Sequence, residues 1–324
     1  MADTVTTDRR SGSTTTESGF ALIPVIAVVG LLGLVAAGFS ASVRSHLQIT
    51  SNAIRNAQAQ VLADGGLELA VLDLLSRADR GDRLAGLRTR STCVTPDGAR
   101  IGIEIADEAG KIDLNAAKPE VVEALVATLS EPPASADAVA AAILDYRDPD
   151  QDRRRSGAEA ADYRTRGRHA GPANAPFASV EEIGSVLDVS ADIARRLTPW
   201  LTIASGQEGI DPAAADPALI ARLEAGATAN VTTAFETSSG LSSTGRIGLP
   251  ARLLAASAGR AFGVRVTVVT ESTAIAAAAG VVELAPARRG SASIARIKSW
   301  RRVADVDREV GRATASPPVT CGPS

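Results

Sequence analysis

Aromatic side chains are scarce. Five Phe, two Trp and two Tyr make up 3% of the 324 residues, so the core has to be built from Ala, Val, Leu and Ile. Histidine occurs only as His46 and His169, which excludes a His-rich metal site. Neither lies in a recognisable nucleophile motif, although serines are many. No catalytic or cofactor-binding residues are assigned, and the chain is expected not to be an enzyme. Cysteine occurs twice, as Cys93 and Cys321. An oxidising compartment would allow one disulfide, and two unpaired thiols are the other reading. A charge of one sign is also missing: 34 basic against 37 acidic residues leave a net charge of -3. Duplex binding needs a basic face that neutralises phosphates, so no nucleic-acid partner is expected.

What the chain does have is an uncharged run from Gly19 to Val43, GFALIPVIAVVGLLGLVAAGFSASV. About 20 apolar helical residues at 1.5 Å each cross a bilayer core of ~30 Å. A buried globular helix of this length would carry a polar face. A conventional signal peptide would have a shorter apolar region, although Ala36-Ala37-Gly38 imitates its cleavage site. Beyond Arg44 the pattern stays helical. Leu47, Ile54, Ala57, Val61, Leu67, Val71, Leu74 and Leu75 recur at three- and four-residue steps, between Gln58, Asp64, Glu68 and Asp73. One helix from about Phe20 to Ser76 is expected, half in lipid and half against a soluble domain. Gly65-Gly66 either kinks it or lets another element approach closely.

A polar linker, Arg77 to Arg90, precedes two short strands, Thr92–Val94 and Ala99–Ala106, around the turn Pro96-Asp97-Gly98. From Gly110 to about Trp200 the pattern is helical, with a helix through Pro119, another over Asp137–Tyr146, and Ser179 with Glu182 placed for a capping box. A short helix is expected over Pro217–Ala225, then a Gly/Ser/Thr-rich loop, Thr232–Gly248. Strand patterns return in FGVRVTVVTE, AAGVVELAP and SIARIKSWRRV. The fold class is therefore α+β, with a long N-terminal transmembrane and amphipathic helix, an antiparallel β-sheet, and a large α-helical insertion. The pieces DLNA and SVEEIGSVLDVSADIARRL resemble helix-hairpin-helix repeats, a SAM/helix-hairpin-helix-like insertion. The hairpin carries Asp188 and Ser190 rather than Gly with basic neighbours, which favours packing over DNA binding.

One loop has the spacing of a metal site. In DPDQDRRRSGAE, Asp148, Asp150, Asp152 and Glu159 stand at positions 1, 3, 5 and 12 of an EF-hand-like pattern. Alternate residues on a curling loop aim carboxylates at one point, and calcium takes 6–8 oxygens. Arg153 replaces the expected glycine at position 6. Arg153, Arg154 and Arg155 offer a metal-free alternative, by neutralising the carboxylates. Magnesium tolerates irregular cages less well.

The N-terminus resembles the type IV prepilin class. A polar leader ends in Glu17-Ser18-Gly19, and Phe20 opens the apolar stretch. The resemblance implies that a prepilin peptidase cuts after Gly19 and that Phe20 becomes a methylated N-terminus. The class usually has Glu at the fifth mature position, where this chain has Pro24. The family of general secretion pathway protein K, a minor pseudopilin of type II secretion, lacks that glutamate. DEAGKIDLNAA, ILDYRDPD, GAE with ADYR after it, NAPFASVEEI, the GID of Gly209 to Asp211 and IKSW all look like its motifs, in its order, from Gly19 to about Val303. Charges in the leader are mixed, so orientation rests on the resemblance more than on the positive-inside rule.

The resemblance implies a pilin-like fold and this organisation: leader 1–19, transmembrane segment 20–43, amphipathic helix and first strands 44–109, helical insertion 110–200, remainder of the pilin-like domain 201–310, and tail 311–324. It implies a calcium-binding insertion, with Asp148, Asp150 and Glu159 on the family's acidic positions and Ala160 where a further Asp is common. It implies a pseudopilus tip subunit in the bacterial inner membrane, single-pass, with its C-terminal domain in the periplasm. Its partners would be the I and J minor pseudopilins, the prepilin peptidase, the inner-membrane secretion platform and membrane lipid. The alternatives are a membrane-tethered DNA-binding competence protein and a minor pilin of a type IV pilus.

Overall fold

A computed structural model describes residues 22–128, 133–235, 248–270, 275–285, 293–303 and 319–320. The Gly19-Phe20 junction, most of the Gly/Ser/Thr-rich loop and most of the C-terminal tail lie outside the described residues. The chain divides into two compact units, residues 1–57 and 58–324, and the first helix runs through the boundary.

That helix, α1 (Leu22–Arg80), is unbroken at Gly65-Gly66 and runs four residues beyond the expected end. In the first unit its apolar side chains are exposed from Leu22 through Phe39, the latter at 72%. Uncharged over a length that spans a bilayer, it fits a single-pass membrane anchor.

In the second unit α1 changes character. Ala59, Ala63, Gly66, Leu67, Ala70 and Leu74 are buried at helical spacing. They face one side of a sheet built from β1 (Arg88–Val94), β2 (Arg100–Asp107), β5 (Ala261–Val269), β6 (Ile275–Ala285), β7 (Ile294–Arg302) and β8 (Val319–Thr320), in the order β7-β6-β5-β2-β1-β8. The alternating residues Ile101, Ile103 and Ile105 of β2 and Phe262, Val264, Val266 and Val268 of β5 supply the inner face. A Cβ on Gly66 would lie 2.5 Å from Val266 Cγ1, so this glycine serves close helix–sheet approach. β1 and β6 are longer than the stretches expected, whereas β2, β5 and β7 stay close to theirs. β1 begins at Arg88, which shortens the linker to residues 81–87. Gly98, at φ 80°, makes the β1–β2 turn.

The insertion leaves the sheet after β2 and has its own core. Two residues of β3 (Ile112–Asp113) pair in parallel with β4 (Leu201–Thr202), closing the base of the excursion. Between them stand α2 (Pro119–Ala127), α3 (Pro133–Arg147), α4 (Ala160–Thr165) and α5 (Ala191–Leu197). Proline at the first position of α2 loses no helical hydrogen bond. Ser190 caps α5 by accepting from Ile193 N at 3.2 Å. Asp188, in the left-handed region at φ 67°, pairs with Arg166. That pair ties the segment before α5 to the end of α4. The expected Ser179–Glu182 capping box does not form. That segment is a 3-10 helix, Val180–Ser185, in which Glu182 accepts from Ala178 N at 3.0 Å and Ser179 makes no side-chain cap. Helix α6 (Pro217–Phe235) is longer than the short helix expected and packs on α2, its apolar side extending through Leu219, Leu223 and Ala227.

At the sheet edge β8 pairs in parallel with β1, Cys93 opposite Val319 and Val94 opposite Thr320. Cys93 is disulfide-bonded, and the chain's other cysteine is Cys321. A two-residue parallel strand is weak by itself. Reduction is therefore expected to loosen β8 from β1, seen as faster hydrogen exchange in β1. Unchanged exchange after full reduction would show that the pairing does not depend on the disulfide.

Candidate metal centre

The loop from Asp148 to Glu159 starts one residue after α3 ends and stops one residue before α4 begins. Both flanks are fixed. Arg147, the last residue of α3, donates from its guanidinium to Leu114 O at 2.5 Å and Ala117 O at 2.6 Å, tying the helix end to the segment before α2. Asp113 holds that segment by accepting from Asn115 N (2.8 Å), Ala116 N (3.1 Å) and Gly206 N (2.8 Å). The Asn115 amide clamps Phe177, donating to its carbonyl at 3.0 Å and accepting from its N–H at 2.7 Å. Phe177 stacks on Tyr146 at 4.7 Å between ring centroids. On the far flank, Glu159 N donates to Asp162 Oδ2 at 2.9 Å, setting the start of α4, and Tyr163 accepts from Leu187 N at 2.9 Å through its buried phenol oxygen. The motifs DEAGKIDLNAA, NAPF and ADYR are in this way packing nodes around the loop.

Asp148, Asp150 and Glu159 each offer a carboxylate oxygen within 4.8 Å of the others. Asp152 does not join them. Its carboxylate is exposed, and its amide donates to Asp150 Oδ1 at 2.9 Å. Arg153 stands where a glycine would turn the chain sharply back, and its side chain leads outward to Asp162 at 3.3 Å. Asn174 donates to the Asp150 carbonyl at 2.7 Å and holds this part of the loop in place.

A fourth carboxylate, unassigned in the sequence reading, lies beside the three. Asp145 is 0% exposed and sits one helical turn before Asp148 on α3. Gly157 makes room for it, since a Cβ there would fall 1.9 Å from Asp145 Oδ2. The signal was present in ILDYRDPD, where Asp145 and Asp148 are three apart and share a helix face. It reads as an ordinary polar helical residue until the loop folds back over it.

Burial pushes the Glu159 carboxyl upward, with Asp145 and Asp148 adding to the rise. Burial also raises Asp145, opposed by the amide of Arg154 and aided by Asp148. Glu159 is 5% exposed, and neither of its carboxylate oxygens has a hydrogen-bond partner; Asp148 Oδ1 is likewise unpartnered. Unpaired buried carboxylate oxygens are costly. An all-oxygen donor set with three converging carboxylates suits a hard divalent cation and not a thiophilic metal.

Residues 102–206, about a third of the chain, match the family model described as type II secretion system (T2SS), protein K. No curated protein sequence matches. Among solved structures, a chain of the GspK-GspI-GspJ complex from the type 2 secretion system of enterotoxigenic Escherichia coli superposes with a TM-score of 0.53 at 16% identity, over 81% of this chain and 99% of that one. At that identity the superposition speaks for the fold. It supports the α+β architecture of long apolar helix, antiparallel sheet and helical insertion. Over residues 102–206 the resemblance to the protein K family of type II secretion is thus borne out; the leader and the motifs from Gly209 onward lie outside that match.

Proposed function

We propose that this chain is a minor pseudopilin that caps the tip of a type II secretion pseudopilus and helps start its assembly. The observation that carries the reading is the helical body between β2 and β5, whose own core runs from Ile112 to Leu253 and takes in α6, on a sheet domain whose helix continues into an apolar anchor. A body of that bulk is hard to repeat along a thin filament. Pro24 and the absence of any acidic residue in the first turn of α1 fit a subunit with no neighbour above it. A carboxylate in hydrocarbon is expensive unless a partner meets it. The bulk of the chain would lie in the periplasm, anchored in the inner membrane, and its work would be assembly rather than catalysis.

The solved relative was crystallised with GspI and GspJ. By analogy the partners here are the I- and J-type minor pseudopilins, with the prepilin peptidase and the secretion platform acting on the chain. The test is co-purification of the full chain, extracted in detergent, with its own I- and J-type candidates. Binding to both, together with sub-stoichiometric amounts in sheared pseudopili, is expected. Equal stoichiometry with the major subunit would defeat the tip assignment.

Processing gives a second test. The mature chain is expected to begin at Phe20, and Gly19→Val to block cleavage, while Gly19→Ala is partly tolerated. Intact-mass measurement of membrane-extracted protein checks this. A mature N-terminus near Gly38 would support a conventional signal peptide instead.

The reading includes a calcium ion held by Asp148, Asp150 and Glu159, with Asp152 at the rim of the loop. The unpartnered oxygens of Glu159 and Asp148 support it.

A further inference from the structure

The loop brings its own cation to the carboxylate cluster. Arg154 Nε lies 3.1 Å from Asp145 Oδ1, and Arg154 Nη2 lies 3.2 Å from Asp148 Oδ2. The Arg154 amide also donates to Asp145 Oδ2 at 3.2 Å, so backbone and side chain converge on the same buried carboxylate. The two neighbouring arginines behave differently. Arg153 turns to Asp162, and Arg155 is exposed with no ion pair among the described residues. Of the three arginines that the sequence offered as neutralising groups, one touches the cluster.

Its placement is asymmetric. The guanidinium bridges Asp145, which is outside the group of three converging carboxylates, to Asp148, which is inside it. It leaves Asp148 Oδ1 and both oxygens of Glu159 unpaired. A guanidinium carries donors in a fixed fork and a full positive charge. A divalent cation drawn to Asp148, Asp150 and Glu159 would compete for Asp148 Oδ2 and repel the charge beside it. Contact with Asp145 would survive, because that carboxylate is held by the Arg154 amide as well as by the guanidinium.

We propose that Arg154 is a built-in competitor at this site: it neutralises Asp148 in the metal-free chain, sets the cation affinity, and turns away from Asp148 while keeping Asp145 when a divalent cation binds. This rests on the reading that the loop holds such a cation. It differs from simple neutralisation of a surface loop, because it makes one arginine responsible for affinity and leaves two others without effect.

The experiment is calorimetric titration of the detergent-solubilised full chain with calcium chloride, for wild type, Arg154→Gln, Arg154→Lys and Arg155→Gln. Arg155→Gln removes the same charge from the same loop without removing a contact, so long-range electrostatics cancel in the comparison. Arg154→Gln is expected to bind calcium roughly fivefold tighter or more than Arg155→Gln, since it removes a partner from a half-buried carboxylate. Arg154→Lys keeps the charge but loses the fork, and should fall between wild type and Arg154→Gln. Without calcium, Arg154→Gln should melt lower than Arg155→Gln, because Asp145 loses its counter-charge. Equal or weaker calcium binding by Arg154→Gln, with wild type binding normally, overturns the proposal and leaves the cation reading intact. No binding by wild type or any variant overturns both.

Discussion

Gly226→Ala is expected to destabilise the protein by about 2–3 kcal/mol, against the ordinary rule that alanine improves a helix interior by roughly 1 kcal/mol over glycine. Gly226 lies on α6 where that helix crosses α2. A Cβ there would fall 1.9 Å from Ala124 O and 2.8 Å from Ala124 C, both backbone atoms. No side chain can rotate out of the way, so α2 and α6 would have to move apart. That would open the packing of Val121, Leu125, Leu219 and Leu223, all buried in the insertion's core. Two other helical glycines calibrate the effect. Gly65 has nothing within 4 Å of its Cβ position, so Gly65→Ala should stabilise by up to about 1 kcal/mol. Gly66→Ala meets side-chain carbons of Val266 and Ile101 rather than backbone, and should fall between the two. Urea unfolding of the three variants checks the order. A neutral Gly226→Ala would mean that the α2–α6 contact contributes little to the insertion.

Millimolar calcium is expected to raise the melting temperature by several degrees over chelator. A ligand that binds only the folded form stabilises it by about 2.7 kcal/mol at a hundredfold excess over Kd. Asp150→Ala should abolish most of that difference and leave the chelator value little changed or raised, because like charges then repel less. Magnesium at equal concentration should do less. The pH dependence follows from the raised carboxyls of Glu159 and Asp145. A carboxyl whose folded pKa lies above its unfolded value binds more protons when folded. Its contribution in the metal-free chain is therefore most favourable below the ordinary values of 4.5 and 3.8 and falls as pH rises through the shifted ones. Calcium needs the charged forms, so its stabilising effect should grow over the same range and shrink on acidification. A wild-type melting curve unmoved by calcium at neutral pH would leave the loop as an arginine-neutralised surface segment.

The elements legible in the sequence are those whose signal is local. The uncharged run before Val43 and the three- and four-residue steps after Arg44 each specify helix without knowledge of a partner, and α1 follows both, from Leu22 to Arg80. The alternation in IGIEIA and FGVRVTVV specifies strands with one buried face, and β2 and β5 bury those residues against α1. Spacing alone placed Asp148, Asp150 and Glu159 in one loop between two helices, and the chain brings these three together. Tertiary structure decided what depends on who meets whom. Asp145 and Arg154 are nine residues apart and meet only because Gly157 lets the loop fold over the end of α3. Asp152 fits the linear pattern, but its side chain stays exposed and outside the converging group. The two-residue pairing of β3 with β4 joins Ile112 to Leu201, and the pairing of β1 with β8 joins Cys93 to Val319; neither pair is long enough to announce itself as a strand. Helical and strand periods are properties of neighbouring residues, whereas these contacts exist only once distant segments have been brought face to face by the burial of two separate cores.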